Sequence, residues 1–520
     1  MSCTPTTHQR APNPGSTLPP SFPTPPATTE VTAASPIPSF IDLSLASAAL
    51  QAHGLPPTDP VVVCHNYTAA GSKDGTTVPF HISPTPRLDF PMSYLAVTSA
   101  RPYEHVLSLT LQPGVLDYFR QIGIVSPNTI VHEVNPERSA DGLLGFPFTD
   151  ALTQARKQGV SLPQGSSFVT TFPSQLAREN ALALGLQPIQ RSDPALTNNK
   201  GLLRLFSKFY NYEVAPGVSL LSNDDISRAV TLFEGTDKAW LKLAHGAGGD
   251  LVLPITGPIT EEKITAGRDS LYRSVQEAFQ RSDYGAGALE RFWPADSFAP
   301  RLSVITIEKD IGRMGKILGN FSNSMLVHSN GTCETLAYYS QIIGHKGEFL
   351  GSAPVTLTPS IQTCVEKETD KIGQLCRGLN LYGLVGVDFF LIQDEKGAIR
   401  PIIIEMNGRP SSSLNTHLVA TKLGAPYWIN IDLHSSRELN TLEDFERHFA
   451  QSPIKYPRSS LSEGMVVPLS FSSMYVKEGD SYSLVHPDRK VRVMIASDRS
   501  QEHCLDILAE LSQYGFKIPS

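Results

Sequence analysis

Apolar positions are spread unevenly along the chain. Residues 1–39 carry almost no aromatic side chains and are dominated by Pro, Thr, Ser and Ala. Such a stretch cannot bury enough apolar surface to offset the entropy of ordering, so 1–39 is expected to be a disordered tail. From 40 to 194, buried-strand runs at 60–64, 94–97 and 129–131 alternate with helical periodicity at 115–122 and 175–184. Alternation of that kind predicts a small parallel sheet with helices. Asn198-Asn199-Lys200 then opens a helix in which Leu202, Leu205, Phe206 and Phe209 share a face. Strands are predicted at 239–244 and 251–254, a helix at 271–279, a strand leading to a loop at 288–293, and strands of an antiparallel sheet at 301–309, 315–325 and 334–344. An amphipathic helix follows at 361–379, with Ile361, Val365, Ile372, Leu375, Cys376 and Leu379 on one side. A helix at 411–423 ends at Gly424, and from about 452 two strands and a helix (464–468, 490–495, 501–513) read as a separate piece.

The most informative stretch is 384–410, LVGVDFFLIQDEKGAIRPIIIEMNGRP. Two apolar, β-branched runs flank Asp394-Glu395-Lys396-Gly397, which is turn chemistry, so the stretch predicts a β-hairpin. Folding at that turn sets Asp388 beside Glu405, directly opposite or one diagonal step away. Asn407, two residues further on, shares the face of Glu405. Three hard oxygen donors would then converge, the chemistry that suits Mg²⁺ with phosphates completing its shell. The hairpin alone fits an ordinary solvated polar face equally well. The apolar character of both strands favours the metal, because a carboxylate between them is costly unless compensated. Arg409 follows at once and offers a planar fork to a phosphate.

Composition narrows the class. Forty per cent hydrophobic and 18% charged residues are those of a globular protein, and a net charge of -7 argues against nucleic acid as a partner. No apolar run is long enough to span a bilayer and no secretory signal is visible, so neither a membrane nor export is expected. Six scattered cysteines form no CxxC pair, which reads as reduced thiols in the cytoplasm. Lys242 sits inside an apolar strand, just before the glycine-rich turn 245–250; such a turn lets backbone N–H groups approach phosphate, though it also serves as a plain turn. Asn66 to Lys73 is a polar loop after a strand, where open α/β sheets place ligand contacts and where an ordinary loop is equally at home.

In this order, the lysine-opened helix, the lysine strand with its glycine loop, the Glu-led stretch at 290, the antiparallel sheet and the GVDF…EMNGRP hairpin resemble the ATP-grasp superfamily over roughly 197–433. The resemblance implies an α+β chain in which two subdomains clasp ATP: 195–288 with the glycine-rich loop and 289–440 with the metal and phosphate site. An α/β pre-ATP-grasp domain (40–194) would precede them and a small β-β-α extension (441–520) follow. It implies that Lys200, Lys242 and the loop glycines Gly246, Gly248 and Gly249 contact the phosphates, Glu290, Arg291 and Phe292 hold adenine, and Asp296 meets the ribose. Asp388, Glu405 and Asn407 would ligate Mg²⁺, or Mn²⁺ in its place, and Arg409 and Lys242 would stabilise the transferring phosphoryl group. The activity implied is ADP-forming ligation of a small carboxylate to an amine through an acyl phosphate, in a homodimer as in many relatives. A phosphotransferase or a non-catalytic ATP-binding module of the same fold are the alternatives. The flanking regions look like those of peptide-forming ligases of secondary metabolism. Gly386 stands where some relatives carry arginine, and the acidic doubling of others is absent, so the substrate does not carry over.

Overall fold

The computed structural model describes residues 104–136, 151–170, 175–190, 197–244, 251–280, 305–344, 349–449, 460–486 and 489–518, with residue 102 and short pieces at 31–33, 51–52, 61–64 and 97–98. Within the expected tail, β1 (Val31–Ala33) is a strand, with Val31 opposite Leu357. Five short strands then form a wholly parallel sheet: β2 (Val61–Cys64), β3 (His105–Leu109), β4 (Ile130–Val134), β5 (Ser167–Thr170) and β6 (Gln187–Pro188), ordered β4-β3-β2-β5-β6. Helices α1 (Val115–Gln121), α2 (Ala151–Gln158) and α3 (Gln175–Ala183) connect them. This is the predicted α/β unit. Val97, expected in a strand, is helical together with Thr98; an apolar run of four cannot by itself separate a buried strand from a buried helix turn.

The next unit begins with α4 (Lys200–Tyr210) and continues through β7 (Gly217–Leu220), α5 (Asn223–Leu232), β8 (Lys238–Leu243), β9 (Val252–Thr256), α6 (Glu261–Gln280) and β10 (Ile305–Lys309). Its antiparallel sheet has the order β7-β10-β8-β9. β10 thus lies between β7 and β8, so the expected boundary at 289 falls inside this unit, which extends to Lys309. On α4 the buried residues are Gly201, Leu203 and Arg204, and Phe209, expected on the buried face, is 80% exposed. The helix is wedged between two sheets: Leu203 packs with Ile403 and Met406 of the larger one, and Arg204 reaches β10 of the smaller.

The remaining chain builds one ten-stranded sheet. Its elements are β11 (Lys316–Val327), β12 (Cys333–Ile343), β13 (Phe349–Leu357), α7 (Pro359–Gly378), β14 (Gly383–Gln393), β15 (Ile399–Asn407), α8 (Ser412–Leu423), β16 (Tyr427–Ser435), α9 (Leu442–Phe449), β17 (Met465–Phe471), β18 (Met474–Glu478), β19 (Ser481–His486), β20 (Lys490–Ser497), α10 (Gln501–Leu511) and β21 (Phe516–Lys517). The order is β15-β14-β11-β12-β13-β16-β20-β17, with β1 on β13 and β21 on β16; β18 and β19 form a hairpin apart. The C-terminal strands are therefore not a separate extension. β20 pairs with β16 along its whole length, and the cluster of Trp428, Ile431, Val466 and Val493 is continuous with the core of the parallel-sheet unit. Among the described residues no helix is long and apolar enough to cross a membrane, and Cys333, Cys364, Cys376 and Cys504 are free thiols.

Candidate active site

The β14–β15 hairpin forms where the sequence predicts it, turned by Asp394, whose side chain accepts from the N–H groups of Lys396 and Ala398, each at 2.9 Å. Its register sets Asp388 directly opposite Glu405 and Gly386 opposite Asn407. A bulge follows at once, where Phe389 pairs with Ile403, so Ile404 is the extra residue. On the other side of Asp388 stands Ser322 of β11, which donates to it, and Gln341 Nε2 of β12 donates to Asp388 Oδ1 at 2.9 Å. Burial, and next the charge of Glu405, push the Asp388 carboxyl up to about 7, against the pull of Ser322, Arg409 and Lys200.

The expected Lys200 reaches this centre. It is the first residue of α4, whose N-cap Asn199 accepts from the N–H of Leu202 at 2.9 Å. Its Nζ lies 3.1 Å from Glu405 Oε1, with the side chain only 10% exposed, so it is not a solvated surface lysine. Its main-chain N–H donates to the carbonyl of Ala244, just past β8, at 3.1 Å. Asn198, two residues before Lys200, had no assigned role. Asn198 Nδ2 donates to Asn407 Oδ1 at 2.9 Å, and Asn407 Nδ2 donates to Asp388 Oδ2 at 3.3 Å. As placed, Asn407 turns its nitrogen to Asp388; turning both amides over would keep a bond between them and present Asn407 Oδ1 to the carboxylates, at the loss of the Gly408 N–H bond to Asn198 Oδ1. Arg409 follows a tight turn in which its N–H donates to the Asn407 carbonyl at 2.7 Å, and its charge acts on Asp388.

Lys242 lies on β8, opposite Thr306, and Lys242 Nζ meets Glu308 Oε2 at 2.6 Å. Sequence reading missed Glu308 and Gln341 because neither belongs to a spacing motif, and Asn198 because it was read only as part of the opening of α4. The loop glycines Gly246, Gly248 and Gly249, the adenine and ribose candidates Glu290, Arg291, Phe292 and Asp296, and the loop 66–73 lie outside the described residues.

Beside the hairpin, α8 covers the same face of the sheet. Ser411 caps it, accepting from the N–H of Leu414 at 3.1 Å, and its hydroxyl lies 3.2 Å from that of Ser324. Two residues on, Ser413 Oγ donates to Ser352 Oγ at 2.8 Å. Ser352 is opposite Asn430 and Gln341, so a polar row leads across the sheet from Asp388. Asn430 has neither amide atom bonded, nor have Trp428 Nε1 and His417 Nδ1 a partner among the described residues, although all three residues are buried. Burial pushes the His417 imidazole down to about 4, which leaves it neutral.

Asp388, Glu405 and Asn407 supply hard oxygens. Among the described residues no group of three or more His, Cys, Asp or Glu is placed to hold a metal. Two carboxylates and an amide fit a divalent ion that takes its other ligands from a nucleotide.

No family model matches the sequence, and no curated protein matches it. Solved structures do. A biotin carboxylase from Campylobacter jejuni, described in complex with an ATP form, aligns at TM-score 0.51 with 10% identity over 89% of this chain and 92% of that one. N5-carboxyaminoimidazole synthase from Aspergillus clavatus (TM-score 0.46, 10% identity, 88% and 99% covered) and phosphoribosylamine–glycine ligase from Thermotoga maritima (0.46, 12%, 88% and 97%) also align. The chain has the ATP-grasp fold, α+β, as the lysine helix, the small sheet and the hairpin imply.

Proposed function

We propose that the protein is an ADP-forming, ATP-dependent ligase that activates a small carboxylate as an acyl phosphate and condenses it with an amine, working in the cytoplasm. The observation that carries this reading is the register that sets Asp388 against Glu405, with Asn407 held beside them by Asn198 and with Lys200 on Glu405. Asp388, Glu405 and Asn407 would hold Mg²⁺, which when bound supplies charge to the phosphate oxygens. The chain's own residues do the rest by position and charge. Lys200 and Lys242 face the nucleotide phosphates from the end of α4 and from β8. Arg409 stabilises the phosphoryl group as the substrate carboxylate attacks it. The amine then forms the C–N bond, phosphate leaves as the C–O bond breaks, and the amine proton passes to solvent. The polar row that starts at Gln341, which touches Asp388, and continues through Ser352 to Asn430 would seat the acyl substrate. A role in secondary metabolism and a dimeric state accompany this reading as part of the proposal.

The test is ADP release from purified protein with Mg²⁺-ATP, screened against small carboxylates and amino acids, singly and in pairs. One ADP per amide formed with a particular pair is expected. ADP with a stable phosphoester would instead mark a phosphotransferase, and nucleotide binding without ADP would mark a binding module. Glu405→Gln and Lys242→Ala should each lower turnover by roughly two to three orders of magnitude, the scale of one preorganised electrostatic contact. Turnover near wild type in either variant removes that residue from the mechanism.

A further inference from the structure

Lys242 does not approach the site as an unsupported side chain. Its Nζ lies 2.6 Å from Glu308 Oε2, and Arg204 Nη2 lies 2.8 Å from Glu308 Oε1. The three groups come from three elements. Arg204 is one helical turn after Lys200 on α4, Lys242 is on β8, and Glu308 is on β10, paired to β8. The Thr306 hydroxyl donates to Glu308 Oε1 at 3.5 Å, and Arg204 Nη1 donates to the Ala215 carbonyl, so the far side of the bridge is anchored twice. Burial would raise the Glu308 carboxyl, yet Lys242 and Arg204 together bring it down to about 2. Glu308 is therefore an anion at any working pH, and the triad of two cations and one anion carries one surplus positive charge. That surplus is not symmetric. The Lys242 side chain is 15% exposed against 8% for Arg204 and 6% for Glu308, so the cation nearest solvent is the lysine.

We propose that Glu308, backed by Arg204, is a positioning residue that pins Lys242 in the conformation from which it meets the nucleotide phosphates. This rests on the reading of Lys242 given above. A lysine carries four rotatable carbons whose freedom is lost on binding. A buried carboxylate that already fixes the ammonium removes that loss at the moment the phosphate arrives. The bridge also joins the two lysine-bearing elements: Arg204 shares α4 with Lys200, whose N–H is bonded to Ala244 at the end of β8. Lys200 and Lys242 are thus held as one pair.

The experiment is calorimetric titration of the full-length protein with Mg²⁺-ADP and, separately, with adenosine. Glu308→Gln should weaken Mg²⁺-ADP about tenfold or more, the scale of one charge-assisted hydrogen bond, and change adenosine affinity less than twofold. Arg204→Lys keeps the cation but not the fork that reaches both Glu308 and the Ala215 carbonyl, so it should lose less Mg²⁺-ADP affinity than Glu308→Gln. Should Glu308→Gln not fold, the double variant Arg204→Leu/Glu308→Leu removes the opposite charges together, a replacement cores tolerate. It too should lose Mg²⁺-ADP affinity, because Lys242 is left unpinned. Unchanged or tighter Mg²⁺-ADP binding in Glu308→Gln or, where that does not fold, in the double variant overturns the proposal, as does an equal loss for adenosine, which would mark a merely structural role. Lys242→Ala separates the two readings. If it leaves Mg²⁺-ADP affinity intact, the phosphate role of Lys242 fails; if it weakens binding while the Glu308 variants do not, only the positioning role fails.

Discussion

Asn198 shows how a residue that touches no reacting group can decide the quality of a site. Its amide nitrogen lies 2.9 Å from Asn407 Oδ1 and its oxygen accepts from the Gly408 N–H at 3.4 Å, so it fixes both the side chain and the turn that delivers Arg409. Both asparagines are buried, which makes a lost partner costly. Asn198→Ala should destabilise the protein by about 1–3 kcal/mol, the cost of leaving a buried polar group unsatisfied. It should also raise the Mg²⁺ concentration needed for half-maximal nucleotide binding, because Asn407 is no longer oriented. Urea denaturation and a Mg²⁺ titration of ADP binding check the two parts. Unchanged values in both would mean that Asp388 and the neighbours on β15 hold Asn407 without Asn198.

The elements differ in how much of their placement a sequence carries. The β14–β15 hairpin was legible because three signals coincide within 27 residues: two apolar, β-branched runs, a turn of Asp394 to Gly397 between them, and an acidic residue in each run that folding at the turn brings together. β10 was legible as a strand but not as a member of the small sheet. Short-range reasoning pairs it with the next strand, whereas it inserts between β7 and β8, and the residue this brings to Lys242 is a lone glutamate in ITIEK. The C-terminal strands were likewise legible as strands, yet nothing local says that β20 lies against β16. What holds them there includes a charge cluster that no spacing motif announces. Asp432 accepts from Arg492 Nε at 2.6 Å and Nη2 at 2.9 Å, with Lys490 Nζ at 2.9 Å. Burial would raise the Asp432 carboxyl, but the two cations hold it well below the ordinary range. Its folded pKa is thus depressed, so its contribution to stability is complete above the unfolded value near 3.8 and is lost as pH falls below it. Asp432→Asn should cost up to about 3 kcal/mol at neutral pH, the low end for breaking a buried pair, since Arg492 and Lys490 keep some water. The difference from wild type should shrink below pH 3.8 in urea titrations. A difference that does not change with pH would place the effect in packing rather than charge.

At the scale of the molecule, the parallel-sheet unit and the large sheet share a core, and α8 is the joint between them. The α8 helix starts at the candidate site with Ser411 and ends with Lys422, whose Nζ donates to the carbonyls of Thr98 at 2.8 Å and Ile124 at 3.0 Å. Both acceptors belong to the part of the chain before the small sheet, so one helix spans from the candidate site to the first unit. Burial pushes the Lys422 ammonium down to about 8, against the opposing effect of Glu104. The folded pKa is below the unfolded value of 10.5, so between pH 8 and 10.5 the unfolded chain binds the extra proton and stability contributed by this group rises with pH. The rise amounts to up to about 3 kcal/mol across the window. Below pH 8 both states are charged and the desolvation cost is constant. Lys422→Met removes the titration and leaves the other lysines and tyrosines as they were. Urea midpoints of wild type and variant, measured from pH 7.5 to 10.5, should therefore diverge, with wild type gaining on the variant as pH rises. Parallel curves would show that Lys422 keeps its water in the folded protein, and that α8 is joined to the first unit by the apolar contacts of Val419 and Ala420 alone.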